Sequence, residues 1–256
     1  MDDYIITSHP SGILEWRINR PEKRNAVNFN VIKGLEEALD WAENDQQVKT
    51  LVITGTGKQA FCSGGDLDEF HQLKTSDEAY SMLSKMGNLL YRLATFIKPT
   101  LALINGSAVG GGCEIATACD FRIAKKECKM GFIQGRLGIT TGWGGASILY
   151  EKLPPHEAMK ILLEANTYST HQLKELGFVQ EVFEEIDIHT AEDFLSHILK
   201  NHLHVLMCYK EALVSKWQHS ALQSRIEKEI RNCSILWEKE EHHQAVEKFR
   251  TRKKSN

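Results

Sequence analysis

The apolar positions of the chain change rhythm repeatedly between short continuous runs and helical spacing. Ile13-Leu14-Glu15-Trp16-Arg17-Ile18 is a β-rich run that stops at Asn19-Arg20-Pro21-Glu22. A helical pattern follows from 25–28 onward, with Ile32, Leu35, Leu39 and Ala42 three or four residues apart. Thr50-Leu51-Val52-Ile53-Thr54 reads as a buried strand closed by Gly55-Thr56-Gly57. After a loop, the spacing predicts a long amphipathic helix over 78–96. Thr100-Leu101-Ala102-Leu103-Ile104 is the next strand, broken at Asn105-Gly106, and Gly110-Gly111-Gly112 leads into another helix. Strand character resumes at Asp120-Phe121-Arg122-Ile123-Ala124. Strand, helix, strand in this order predicts a parallel α/β layer. Beyond about residue 191 only helical patterns remain, over 194–199, 205–217 and 222–249. Such an end either covers the core or packs on another subunit.

Composition narrows the class. The 256 residues carry no Pro/Gly/Ser-rich linker and no internal sequence repeat, which points to one large domain. A formal charge of −3 argues against a dedicated nucleic-acid binder, and the short basic stretch 248–254 reads as a solvated terminus. None of the six cysteines forms a CxxC pair, so reduced, mostly buried thiols are expected. The start, Met1-Asp2-Asp3-Tyr4, is acidic where a secretory signal is basic then apolar. The uncharged run before Glu114 is too short and glycine-rich to span a bilayer. The final Lys254-Ser255-Asn256 is not a peroxisomal address, which leaves a cytoplasmic protein with no membrane partner as the expectation.

Two glycine clusters carry the candidate chemistry: Ala60-Phe61-Cys62-Ser63-Gly64-Gly65-Asp66-Leu67, and Asn105-Gly106-Ser107-Ala108-Val109-Gly110-Gly111-Gly112-Cys113-Glu114. Glycine lets a backbone turn sharply and lets a ligand approach its amides. Amides at a helix N-terminus add a partial positive charge. Either cluster alone reads as turn punctuation. Two such loops aimed at one carbonyl oxygen would make an oxyanion hole. Other chemistries fail on their own residues. Gly55-Thr56-Gly57-Lys58 lacks the upstream glycine of a phosphate loop and continues with Gln59. No Gly-x-Ser-x-Gly surrounds Ser63, Ser107 or Ser147, and no HExxH supports zinc. His242-His243 are neighbours on a helical stretch, face different directions and read as a surface pair. His71 reads as a loop or helix-surface residue, with the acyl pocket as the alternative. Trp143 shapes either that pocket or the core.

In order along nearly the whole chain, several segments resemble the crotonase, or enoyl-CoA hydratase/isomerase, superfamily. They are 19–28 (NRPEKRNAVN), 61–67 (FCSGGDL), 108–116, 118–124 (ACDFRIA), Leu137-Gly138 with Gly142-Trp143-Gly144-Gly145, 174–179 (KELGFV) and 245–249 (AVEKF). The resemblance implies a crotonase-like (ClpP/crotonase) spiral of β-β-α turns over 1–190, bearing the acyl-CoA site. It implies a C-terminal helical region, 191–256, for trimerisation and for covering CoA. A homotrimer or dimer of trimers acting on an acyl-CoA follows, with CoA as part of the substrate and no separate cofactor or metal. The amides of Gly65 and Gly111 are expected to hold the thioester oxygen. Lys23, Arg24 and Ala26 are expected along the CoA arm, together with Ser63, Gly64, Asp66 and Leu67.

Glu114 stands where the family's hydratases carry one of two catalytic glutamates, and a carboxylate there acts as general acid or base. The second falls on Gln134, 20 residues on, in Gly131-Phe132-Ile133-Gln134-Gly135-Arg136-Leu137-Gly138. Glutamine does not shuttle protons at neutral pH but orients water or a carboxylate by hydrogen bonds. Arg136 is either near this position or structural. The leading expectation is an enoyl-CoA hydratase-like lyase in which Glu114 and an ordered water move protons. The alternative is a decarboxylase of a malonyl-type (ethylmalonyl- or methylmalonyl-) CoA ester. That chemistry needs the oxyanion hole but no base, and 118–122 with Trp143-Gly144-Gly145 also look similar to ethylmalonyl-CoA decarboxylase-like members. A non-catalytic CoA-ester- or RNA-binding homologue is the third reading.

Overall fold

Strands β1 (Tyr4–Ser8), β2 (Ile13–Ile18), β3 (Thr50–Gly55), β4 (Ala60–Cys62), β5 (Thr100–Ile104), β6 (Ser107–Val109), β7 (Phe121–Lys125), β8 (Lys129–Gly131), β9 (Tyr168–Ser169) and β10 (Glu181–Phe183) build two sheets. The helices are α1 (Phe29–Asn44), α2 (Leu67–Phe70), α3 (Ser76–Ala94), α4 (Gly111–Ala118), α5 (Gly145–Lys152), α6 (Pro155–Glu164), α7 (Thr170–Glu175), α8 (Ile188–Leu199), α9 (Leu203–His219), α10 (Leu222–Trp237) and α11 (Glu240–Lys254). This computed structural model describes residues 2–254. Met1, Ser255 and Asn256, which the readings of the two termini above include, lie outside the described residues.

The larger sheet runs β1-β2-β3-β5-β7-β10, parallel except where β1 meets β2; the smaller runs β4-β6-β8-β9. Each pass of the chain adds one strand to each sheet before a helix returns it. β3 and β4, β5 and β6, and β7 and β8 are these successive pairs. β3 and β5 are buried along their whole length, the continuous apolar runs expected of a covered parallel sheet. The short strands of the second sheet carry too few residues for a pattern to reveal them, and none is predicted above. They matter most, because β4 beside β6 sets the two glycine loops side by side.

Several helical boundaries differ from expectation, α8 starting at Ile188 rather than 194 and α9 spanning Leu203–His219 rather than 205–217. α3 begins at Ser76, not 78, because Thr75 and Glu78 close a capping box one turn earlier. The single helix expected over 222–249 is two, parted at Glu238-Lys239. Trp237 at the break donates its indole N–H to Leu73 O (2.9 Å) and packs against the tilted ring of His242 (centroids 4.6 Å, 42° between planes). His242 is therefore no surface residue: it is 2% exposed and its Nδ1–H donates to Leu137 O at 2.7 Å. Burial holds its pKa below the usual histidine range. All six cysteines are free thiols, five of them buried. Among the described residues no helix is long and apolar enough to cross a membrane.

Candidate active site

The two glycine loops meet. Gly64 adopts φ 94°, and Gly110 adopts φ 55° with ψ −120°, a conformation that a Cβ would strain. A Cβ on Gly112 would stand 2.1 Å from Cys62 O, and one on Gly64 3.3 Å from Gly111 N. Segment 23–27 is zipped along the first loop: Ser63 N–H donates to Arg24 O, Val27 N–H to Gly64 O, and Asp66 N–H to Val27 O. This parallel bridge uses the groups of Gly64 and Asp66 and turns the Gly65 N–H away from Val27. Gly111 is the first residue of α4, so its N–H points out of the helix start, where the dipole is positive. Among the described residues neither the Gly65 nor the Gly111 N–H has an acceptor within the protein.

Glu114 follows on the first turn of α4 and is 2% exposed. Its Oε2 accepts from Trp143 N–H and Gly145 N–H, both at 2.9 Å. Its Oε1 accepts from Gln134 Nε2 at 2.9 Å and from Gly142 N–H at 3.4 Å. A carboxylate offers about four lone-pair sites; three are firmly engaged here, and the fourth, on Oε1, is met only by the long Gly142 contact. Desolvation nevertheless dominates, and the nearby Glu229 carboxylate adds to it, pushing the Glu114 carboxyl up to about 8. Gln134 is buried, lies beside Gly110 and leaves its Oε1 without a partner.

Trp143 ties these parts together. A Cβ on Gly111 would stand 2.1 Å from Trp143 Cζ3, and one on Gly65 3.6 Å from Trp143 Cζ2. One edge of the indole thus lies against both glycines. The turn that carries it is held from its other side by Glu229 of α10. That carboxylate accepts from Thr141 Oγ1 (2.6 Å), Ala146 N–H (3.1 Å), Ser147 N–H (2.8 Å) and Ser147 Oγ (2.6 Å). Burial raises the Glu229 pKa as well. The sequence reading missed this residue. Its signal is a glutamate among Leu222, Ile226, Ile230, Cys233 and Trp237, the buried stripe of α10.

The other residues expected along the CoA arm line the seam between segment 23–27 and the first glycine loop or lie close to it. Asp66 is buried, takes an ion pair from Arg20 (2.7 Å) and caps α2 through Asp68 N–H, so its oxygens face the protein. Lys23 is exposed and pairs with Asp68 at 2.6 Å, Arg24 is exposed with φ 52°, and Ala26 is buried. The Ser63 hydroxyl lies 3.5 Å from Lys23 O, and Leu67 opens α2. His71 meets Glu247 of α11 at 3.1 Å, and Arg136 donates to Asn166 Oδ1 on the surface. Among the described residues no cluster of three or more His, Cys, Asp or Glu is arranged to hold a metal.

The profile "Enoyl-CoA hydratase/isomerase" matches residues 8–256. The 2,3-dehydroadipyl-CoA hydratase of Escherichia coli (strain K12) is 30% identical over 246 residues, 96% of this chain and 94% of that protein. The ethylmalonyl-CoA decarboxylase of Xenopus tropicalis is 32% identical over 229 residues, 88% of this chain and 76% of that protein. The crystal structure of an enoyl-CoA hydratase from Mycobacterium avium subsp. paratuberculosis K-10 superposes with a TM-score of 0.85 at 21% identity. It covers 98% of this chain and 96% of that one, a likeness of fold. The crotonase-like α/β architecture expected from the sequence is the one found.

Proposed function

Since the chain belongs to the enoyl-CoA hydratase/isomerase family, we propose that it is an acyl-CoA lyase that releases carbon dioxide from a malonyl-type thioester. The Gly65 and Gly111 amides, free of internal acceptors, receive the thioester oxygen. Charge that develops there as an enolate forms is met by preorganised donors and the start of α4. The Cα–carboxylate bond breaks, its electron pair passes into the enolate, and carbon dioxide leaves. Cα then takes a proton, giving the saturated thioester. Glu114 holds that proton at neutral pH, because its pKa lies at about 8. Oε1, whose second donor stands off at 3.4 Å, is the oxygen with room for it.

The observation that carries this reading is the inventory of acids. Adding water across a double bond takes one group to deprotonate water and another to protonate Cα. Here Gln134 occupies the second position and does not shuttle protons, which leaves Glu114 as the one carboxyl of the expected pair. Hydration of a short enoyl-CoA is the second reading, favoured by likeness to a hydratase along 96% of the chain. Turnover of crotonyl-CoA and of methyl- and ethylmalonyl-CoA, side by side, tests both. Carbon dioxide release with negligible hydration is expected. Hydration alone would overturn the first reading, and neither activity would point to a non-catalytic binder of CoA esters.

Along the CoA arm we place Lys23, Arg24 and Ala26 with Ser63, Gly64 and Leu67, segments that the Ser63–Arg24 and Val27–Gly64 bonds align. Asp66 supports this seam through Arg20 rather than through the ligand. Assembly as a trimer or dimer of trimers belongs to the same proposal. It is supported by an exposed apolar stripe on α9, Val205, Tyr209 and Leu213, and checked by light scattering in solution.

A further inference from the structure

Aromatic rings close on the α-carbons of both glycines that carry the free amides. In a helix each Cβ leans toward the N-terminus, so a side chain at Gly111 would lie over the start of α4. The Trp143 indole occupies that place, with Cζ3, Cη2 and Cε3 all within 2.8 Å of a Cβ built there. The same ring reaches Gly65 through Cζ2, and Phe70 closes in on that glycine, 2.9 Å from its built Cβ. Both aromatic residues are almost fully buried, Trp143 at 4% and Phe70 at 2% exposure.

The indole is also poorly placed to swing away. Trp143 N–H and Gly145 N–H are bound to Glu114. A Cβ built on Gly142 would stand 2.8 Å from Cys233 Sγ and from Leu83 Cδ2, and one on Gly144 2.9 Å from Ile226 Cγ1, so neighbours crowd both positions. Glu229 holds the following two residues. The turn is clamped at every residue from 142 to 147. Phe70, on the four-residue helix α2, is buried in edge-type contact with Phe29 (centroids 5.4 Å, 70° between the ring planes). Phe29 in turn lines a surface hollow of about 400 Å³ with Leu73, Met82 and Lys85.

We infer that Trp143 and Phe70 form a fixed wall that restricts the site to thioesters with short acyl groups, because a close-packed wall has no spare volume for a longer chain. The inference rests on the proposal that the thioester oxygen sits between Gly65 and Gly111. Within that proposal it assigns the substituent on Cα: methyl or ethyl enters, and longer alkyl chains do not.

Saturated acyl-CoAs bind without reacting, so they read the wall separately from the chemistry. Inhibition constants or calorimetric affinities would be measured for butyryl-CoA and octanoyl-CoA. The wild-type protein is expected to favour butyryl-CoA by about tenfold or more, the scale on which hydrophobic pockets discriminate chain length. Trp143→Ala, or Phe70→Ala should the first fold poorly, is expected to bring the two affinities within about threefold of each other by removing that misfit. Wild-type protein that binds octanoyl-CoA as tightly as butyryl-CoA would overturn the inference, as would a ratio unchanged in both variants. Failure of the decarboxylase reading looks different. No malonyl thioester would release carbon dioxide, yet the chain-length ratio and its loss in the variants would persist.

Discussion

Replacing Glu114 by glutamine separates an acid that supplies a proton from a base that the reaction cannot do without. The burial that lifts its pKa from 4.5 to about 8 means that folding at pH 7 must take up a proton. That linkage costs about 3 kcal/mol, from roughly 1.4 kcal/mol per pH unit across the 2.5 units between 4.5 and 7. A neutral glutamine removes this cost. With its amide oxygen toward Trp143 N–H and Gly145 N–H it keeps both 2.9 Å bonds. Its NH₂ then faces Gln134, whose Oε1 lacks a partner and accepts once that amide turns over. Only the 3.4 Å contact from Gly142 is lost, at about 1 kcal/mol. The net expectation is a protein more stable by about 2 kcal/mol at pH 7, or about 4–8 °C in melting temperature for a chain of this size. Thermal unfolding from pH 5 to 9 checks it. A glutamine variant less stable than wild type at pH 7 would refute the reasoning, because it would mean that the four donors require a charged carboxylate. In the same samples, carbon dioxide release should stay within about tenfold of wild type, since bond cleavage precedes proton return. A catalytic base would cost 10²–10⁴-fold, the usual scale of general acid–base catalysis.

Other consequences follow from the same geometry. The stability of the wild-type protein should decline as pH rises from 4.5 through about 8, because the folded state binds the Glu114 proton more tightly than the unfolded chain; denaturant titrations across that range check the sign, and a Glu114-dependent rise would contradict it. Glu229→Gln removes the like charge behind the turn, so the Glu114 titration, followed by carbon-13 NMR of its carboxyl, should move below about 8. An unmoved midpoint would leave the two acids uncoupled. Gly111→Ala drives a methyl into a clamped ring 2.1 Å away. Displacement of Trp143 and of the Gly111 amide from its aim at the thioester oxygen should lower kcat about 10²-fold or more, with a change in Trp143 fluorescence; unchanged turnover would argue against the two-amide site.

Much of the scaffold was legible because its buried strands are continuous apolar runs. The run at 50–54 and the one at Thr100–Ile104 recur as β3 and β5 with nearly the predicted limits. The glycine loops were legible for a different reason: cores rarely need Gly-Gly-Gly between a strand and a helix. The three-residue strands β4, β6 and β8 were not, since period-two alternation cannot be recognised over so few positions. The contribution of α10 to the site was hidden by distance along the chain. Glu229 reaches Ser147 across 82 residues, and local periodicity marks it only as a misplaced charge. His242 was misjudged because helical direction alone says which residues share a face, not which face is covered. The break at Glu238-Lys239 folds α11 back so that His242 faces Leu137.

The claim that the Gly65 and Gly111 amides together receive the thioester oxygen is open to direct observation. Isotope-edited infrared spectroscopy of butyryl-CoA labelled with carbon-13 at its carbonyl, bound to wild-type protein, reports the polarisation of that bond. The account predicts a carbonyl band shifted to lower frequency on binding and restored toward its free value in Gly111→Ala. A band at the same frequency bound and free, with saturation of the ligand demonstrated, would contradict it.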